Sequence, residues 1–336
     1  MTQLDTSTFR RIALAGVAVL LFSLPSLAQA PLRAQGRIAY ESGRGSVAIS
    51  SPFGDKIYVL NREDRCVWVF DRAGTSLGHV SSAGMGPADL LSPKSLAVDS
   101  RGSIYVADRA GSIKVFEPGG TLSLSFAFKT PEDVAVLSDG RILVSGFPRE
   151  SLFEVFDRSG KKLAEIGQPF KEMEDNAHFN AVLNMGRLVV DDSDNIYYIF
   201  RFRPLPTIRK YRPNGDLVAE WNLKSPHFAE LLPKVRATIQ ESKARGSSRV
   251  TGVLAGGAFD RESRRLWVGS GNVVLGIDTE SGETIRSRKL YTSDVLPLQV
   301  EGLQVEGSIM RVASYLSGVQ EVRVTDVAPN RKERQK

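Results

Sequence analysis

Short β-strand patterns recur along this chain at a spacing of roughly 40–50 residues, and this recurrence constrains the fold more than any other feature. One strand type returns as Ile57-Tyr58-Val59, Ile104-Tyr105-Val106, Ile142-Leu143-Val144, Ile196-Tyr197-Tyr198, Leu266-Trp267-Val268 and Met310-Arg311-Val312. A second follows it at 67–70, 113–116, 153–156, 208–211, 274–277 and 319–322. Turns such as Asp71-Arg72-Ala73-Gly74, Asp157-Arg158-Ser159-Gly160 and Arg212-Pro213-Asn214-Gly215 come next, with glycine supplying the positive φ that a tight hairpin needs. We label the strands of each copy a, b, c and d, the two types above being b and c. Six copies of a four-stranded unit at this period predict an all-β chain, a six-bladed β-propeller. A lone sheet cannot bury both faces, so the units must stack in a ring.

The second copy carries a more specific pattern. Ser92-Pro93-Lys94-Ser95-Leu96-Ala97-Val98-Asp99 is followed by Gly102-Ser103-Ile104-Tyr105-Val106-Ala107-Asp108 and by Ile113-Lys114-Val115-Phe116. This resembles an NHL repeat: proline, apolar run, Asp, Gly, apolar run, Ala-Asp, then a strand ending in Phe. Copies one, three and four match in part, and copies five and six only as strand patterns. The resemblance implies a propeller at residues 36–327. It leaves function open, because propellers of this kind host binding proteins and enzymes alike.

The last copy has no convincing d strand after Val322, whereas residues 37–41 read as an extra strand ahead of the first copy. The simplest expectation is that this N-terminal strand completes the last copy and covers its edge. Residues 224–249 read as a helical insertion between copies four and five, with Phe228, Leu231, Leu232, Val235 and Ile239 on one stripe. Ser225 is the expected N-cap, and Pro233 argues for a kink or a late start.

The termini read differently from the ring. Arg10 and Arg11 precede an apolar run at 12–27 and a small-residue end, the grammar of a secretory signal cut after Ala28. An uncleaved anchor is the alternative reading. The chain is therefore expected in the periplasm or outside the cell, with no stable membrane span once the signal is removed. Residues 328–336 read as a basic disordered tail. The single cysteine, Cys66, sits in an apolar strand pattern, as a buried inert thiol would. The formal charge of +6 is too modest to indicate nucleic acid as a partner.

Alternating strand direction places the b–c and d–a connections at one end of such a ring and the a–b and c–d turns at the other. The b–c connections collect Arg62, Arg109, Arg149, Arg201 and Arg203, interleaved with Phe147, Phe202 and Tyr315. Arginine with aromatic side chains suits carboxylate, phosphate or peptide binding. The same arginines could instead pair with Glu63, Asp64, Asp108 and Glu150 beside them. Residues 201–206 are the least paired segment in the sequence.

Catalytic readings find less support. The three histidines, His79, His178 and His227, fall on an outer strand and in insertions, so they cannot converge on the axis. Asp99, Asp108, Asp191, Asp192 and Asp194 could hold a divalent ion, as in gluconolactonase-like lactonases. Asp99, Asp191 and Asp192 lie in a–b turns, however, where Asp closes the turn on its own backbone. No nucleophile elbow or phosphate loop is present. The expectation is a scaffold without cofactor or metal that binds a protein, peptide or anionic ligand on the b–c/d–a face. A metal-dependent hydrolase or lactonase on the axis is the alternative.

Overall fold

The computed structural model describes residues 31–38, 44–50, 56–148, 150–172 and 176–324. The signal segment 1–28, the tail 328–336 and Arg149 lie outside the described residues. A first strand, β1 (Leu32–Ile38), precedes β2 (Ser46–Ser50), β3 (Lys56–Asn61), β4 (Cys66–Asp71) and β5 (Ser76–Val80). The next four are β6 (Pro93–Val98), β7 (Ile104–Asp108), β8 (Ser112–Phe116) and β9 (Leu122–Ala127). Then come β10 (Asp133–Val136), β11 (Ile142–Ser145), β12 (Phe153–Phe156) and β13 (Lys162–Ile166). A short helix α1 (Ala177–Asn184) leads into β14 (Gly186–Val190), β15 (Ile196–Phe200), β16 (Thr207–Tyr211) and β17 (Leu217–Asn222). After helix α2 (Pro226–Ala244) follow β18 (Gly257–Asp260), β19 (Arg265–Ser270), β20 (Val273–Asp278) and β21 (Thr284–Tyr291). The last strands are β22 (Gly302–Glu306), β23 (Ile309–Ser314) and β24 (Gly318–Arg323).

Strands β2 to β17 form four sheets of four, each in chain order. Their first strands, together with β18 and β22, neighbour one another in a closed cycle: β2, β6, β10, β14, β18, β22 and back to β2. The sheets thus pack face to face around an axis, and the chain is an all-β propeller. The b strands bury both faces, so they read as unbroken apolar runs: every residue of β7 and β15 is buried. The outer strands keep one face in water, and β9 alternates half-buried and exposed residues.

The remaining eight strands form one sheet in the order β18-β19-β20-β21-β1-β24-β23-β22. β1 runs antiparallel to β24, with Ala34 opposite Val322, Arg37 opposite Gln320 and Ile38 opposite Val319. It meets β21 only at Leu32↔Leu290 and Arg33↔Tyr291, in parallel. The strand expected at 37–41 therefore begins earlier, at Leu32, and its residues 39–41 lie outside the described residues. Its role is the expected one: it satisfies the backbone groups of β24 that an open edge would leave to water.

Neighbouring sheets dock where the c–d turns tighten. Gly160 and Gly282 adopt φ of +82° and +75°. A Cβ on Gly160 would lie 2.8 Å from the Phe126 ring, and one on Gly282 2.1 Å from the Trp221 ring. Phe126 and Trp221 each belong to the outer strand of the preceding sheet. The repeated turn glycine thus serves the hairpin and the inter-sheet seam together.

Helix α2 begins where its cap predicts, the Ser225 hydroxyl accepting from the His227 amide. It starts at Pro226 and runs through Pro233, so the late start is not what occurs. The helix buries Phe228 and Val235 in a cluster with the core residues Tyr197, Trp221 and Leu254, and this packing outweighs the amide donor that Pro233 lacks. Helix α1 in the 167–186 connection was not legible, being only two turns long and capped by Asn176. Cys66 is buried, and burial together with Asp64 pushes its thiol up to about 12. Among the described residues no helix is long and apolar enough to cross a membrane.

Candidate functional site

The a strands line the axis, and the residues that open them sit at the end carrying the b–c and d–a connections, here called the loop face. Ser95, Asp133 and Arg187 hold the same place in β6, β10 and β14, and they bond to one another. Arg187 Nη1 donates to the Glu132 carbonyl at 2.5 Å and lies 3.4 Å from Asp133 Oδ1. Asp133 Oδ2 accepts from the Leu188 amide at 2.5 Å, and the Ser95 side chain also bonds this carboxyl. Burial pushes the Asp133 carboxyl up while Arg187 opposes the shift. These groups stitch three inner strands together at the loop-face end of the axis. At the equivalent place in β22 a Cβ on Gly302 would lie 3.0 Å from the Ala48 Cα, so the neighbouring a strands β22 and β2 pack closely there.

Outside the Arg187 and Asp133 groups is a shallow basic mouth. Lys94 opens β6, and the charges of Arg62, Arg109 and Arg187 act on it. Burial first, then those guanidinium groups, push its amine down to about 8, with Glu132 opposing. Arg109 Nε lies 2.9 Å from Glu132 Oε1. The contact lacks hydrogen-bond alignment, and Oε1 is buried without a donor. Arg201 follows β15 and shares the field of Arg187, Glu132, Glu301 and Asp133. Its backbone is fixed, the amide donating to Met185 O at 2.9 Å and the carbonyl accepting from Val253 N at 2.7 Å. Its guanidinium lies 5.0 Å from the Phe202 ring centre, and its Nε is buried without a hydrogen-bond partner. Burial and Arg187 push this guanidinium down to about 10.

The structure divides the arginines and aromatics read from the sequence. Arg62 and Arg109 act on Lys94, and Arg201 shares with Lys94 the neighbours Arg187 and Glu132. Tyr315 stands beside them, its hydroxyl bonded to Glu63 next to Arg62. Phe147 points elsewhere: its ring lies tilted 5.0 Å from His178 and lines a lateral cavity of about 510 Å³ with Phe128 and Phe153. Arg203 corrects the reading of 201–206 as the least paired segment. It is buried, pairs with Glu172 at 2.7 Å, bonds the Thr207 hydroxyl at 3.1 Å and stacks 3.3 Å over Phe170. Glu172 lies in the long 167–186 connection, a partner 31 residues away that local sequence could not show. Arg109 likewise pairs with Glu132 rather than Asp108, whose carboxylate accepts from the amides of Leu91, Ser92 and Ala110.

The a–b and c–d turns at the opposite end surround a funnel of about 880 Å³ on the axis. Aliphatic a-strand residues wall it, among them Leu96, Val98, Val134, Val136 and Leu188. Its acidic residues are engaged in turns. Asp99 accepts from the Arg101 and Ser103 amides, Asp191 from those of Ser193 and Asn195, and Asp194 from Ser138. Among the described residues no three of His, Cys, Asp and Glu are grouped so as to hold a metal ion.

A family model described as a 6-bladed beta-propeller matches residues 49–117. No curated protein matches the chain. Solved structures that do match include virginiamycin B lyase from Staphylococcus aureus, at 12% identity and a TM-score of 0.53, over 84% of this chain and 96% of that one. A streptogramin B lyase matches at 12% identity and a TM-score of 0.53, over 86% and 87% of the two chains. Kuenenia stuttgartiensis hydrazine synthase matches at 14% identity and a TM-score of 0.55, over 87% and 99%. At such identities these likenesses show the propeller fold alone.

Proposed function

We propose that this chain is an exported six-bladed propeller that acts as a binding scaffold and takes an anionic group, carboxylate or phosphate, at the loop-face mouth. The closed cycle of six a strands supports the blade count, with the eight-stranded sheet read as two blades that share β1. Residues 92–116 support an NHL-like reading of the repeat, and they lie within the segment the family model matches. Export rests on the signal grammar of residues 1–28.

One observation carries the anion reading. Arg201 is held rigidly at the mouth with a buried Nε that no acceptor satisfies. An unsatisfied buried donor on a charged group is costly, and an incoming oxyanion removes that cost. Lys94, with Arg62 and Arg109 beside it, shares the neighbours Arg187 and Glu132 with Arg201, so the cations of this end act together on an incoming negative charge.

Calorimetric titration with tricarballylate and with inorganic phosphate tests this. Binding should weaken at least tenfold in Arg201→Gln, roughly 1.4 kcal/mol or more. It should weaken with added salt, and it should survive Arg158→Gln at the opposite end. Equal losses in the two variants, or none in Arg201→Gln, would remove the mouth as the site.

A further inference from the structure

Large apolar side chains are exposed on this molecule in a one-sided way. Among the described residues, those in the connections are Met85, Leu91, Leu205, Val295, Leu296 and Leu316. All six belong to b–c or d–a connections and so to the loop face. The other large exposed apolar residues, such as Leu77 and Leu163, lie in outer strands, and none lies in an a–b or c–d turn. Unequal exposure of this kind marks an interaction surface more reliably than any single exposed leucine.

The apolar residues accompany the charged ones. Leu91 shares its connection with Ser92, whose carbonyl accepts from the Arg109 amide. Leu205 lies in the same b–c connection as Arg201. Leu316 follows Tyr315, which bonds Glu63 beside Arg62. Val295 and Leu296 lie in the connection that ends at Glu301. Aliphatic residues thus share connections with several of the charged ones, and these connections belong to different sheets around the axis. A small ion cannot touch them all, whereas an extended chain can.

Met85, the most exposed at 92%, does not sit on a frayed tip. The Asp89 carboxylate accepts from the Gly86 amide at 2.8 Å, and the Leu90 amide donates to Ser82 O at 3.0 Å. Lys114 Nζ donates to the Asp89 carbonyl. The backbone of so fixed a loop loses little further entropy on binding, so only the Met85 side chain remains to be ordered. Methionine and arginine are also residue types enriched where proteins meet.

We infer that the loop face docks a polypeptide whose acidic residues enter the basic mouth while flanking aliphatic side chains pack on the exposed leucines and Met85. This rests on the anion reading of the mouth and names the class of partner. A single-stranded nucleic acid would instead want a charged track with a run of aromatic platforms, and the large exposed apolar side chains of these connections are Met, Leu and Val.

Selection of a displayed library of random dodecapeptides on the immobilised chain tests the inference. Enriched peptides should carry two or more Asp or Glu together, flanked by Leu, Ile or Met. Their binding should weaken at least fivefold in the double variant Leu91→Ser, Leu316→Ser and in Arg201→Gln. The double variant should melt like the wild type and bind tricarballylate within twofold of it. No enrichment, enriched peptides without acids, acidic peptides that bind the double variant as tightly, or tighter binding of a thymidine dodecanucleotide would each overturn the inference. Retained Arg201-dependent binding of tricarballylate in any of these cases would leave the anion reading standing. Loss of that dependence would remove both.

Discussion

Closure of the ring by β1 can be tested at one residue, Ile38. Its side chain is 2% exposed and packs in a cluster with Ile49, Ile57, Val59, Phe70, Ala313 and Val319. That cluster joins strands from both ends of the chain. Ile38→Ala removes the apolar contact and leaves a cavity between the first and last sheets, for which about 3 kcal/mol is the expected cost. A ring of about 290 residues unfolds with an entropy near 0.6 kcal/mol per degree, so the melting temperature should fall by about 5 °C. Leu77→Ala serves as the comparison, because Leu77 lies on an outer strand and is 54% exposed. It should change stability by no more than about 0.5 kcal/mol. Circular dichroism melts of the two variants and the wild type at one protein concentration measure the difference. If Ile38→Ala shifts the melt no more than Leu77→Ala, β1 does not take part in the cooperative structure and the closure argument fails.

Other variants separate structural from functional groups. Gly282→Ala should destabilise by about 2 kcal/mol or more, because it combines a positive φ with overlap against Trp221; a melt within 1 °C of wild type would refute the seam described above. Arg203→Leu should cost about 3 kcal/mol by stranding Glu172, yet leave tricarballylate affinity within twofold, as melting and calorimetry on the same sample would show. Lys94→Met should stabilise the fold most below pH 8. The folded chain gives up this proton near 8 and the unfolded chain near 10.5, so the cost of the buried charge fades as pH rises through that window. The gain, followed by melting at pH 6.5 and pH 10, should shrink at the higher pH; a gain that is constant or grows would contradict the shift.

Much of the ring was readable because its strands repeat a local pattern: apolar b and c strands, then a glycine turn. These are short-range signals, and they located strands such as Ile104–Asp108 and Val273–Asp278 closely. The mouth was half readable. Arg62, Arg109 and Arg201 lie in b–c connections whose end of the ring follows from strand alternation alone. Lys94, Asp133 and Arg187 were missed because they open a strands and look like ordinary strand-edge charges. Asp133 and Arg187 share their place with Ser95 in successive repeats, a usable signal, since the same place in each a strand returns to the axis; Lys94 stands one residue before it. Arg203 was misread for the opposite reason: its partner Glu172 lies 31 residues away in the connection that leads into the same sheet, and no local spacing encodes that pairing.

The central claim, that the loop-face mouth is an anion site held by fixed cations, is tested most directly at the Lys94 amine. Its Nζ can be followed by NMR on ¹⁵N-lysine-labelled protein over pH, with and without saturating tricarballylate. The amine should titrate near 8 in the free protein, well below its ordinary value of 10.5. A bound anion favours the charged form, so the midpoint should move upward when tricarballylate is added, and this movement should disappear in Arg201→Gln. A Lys94 midpoint near 10.5 in the free protein, or one that tricarballylate leaves in place, would contradict the account.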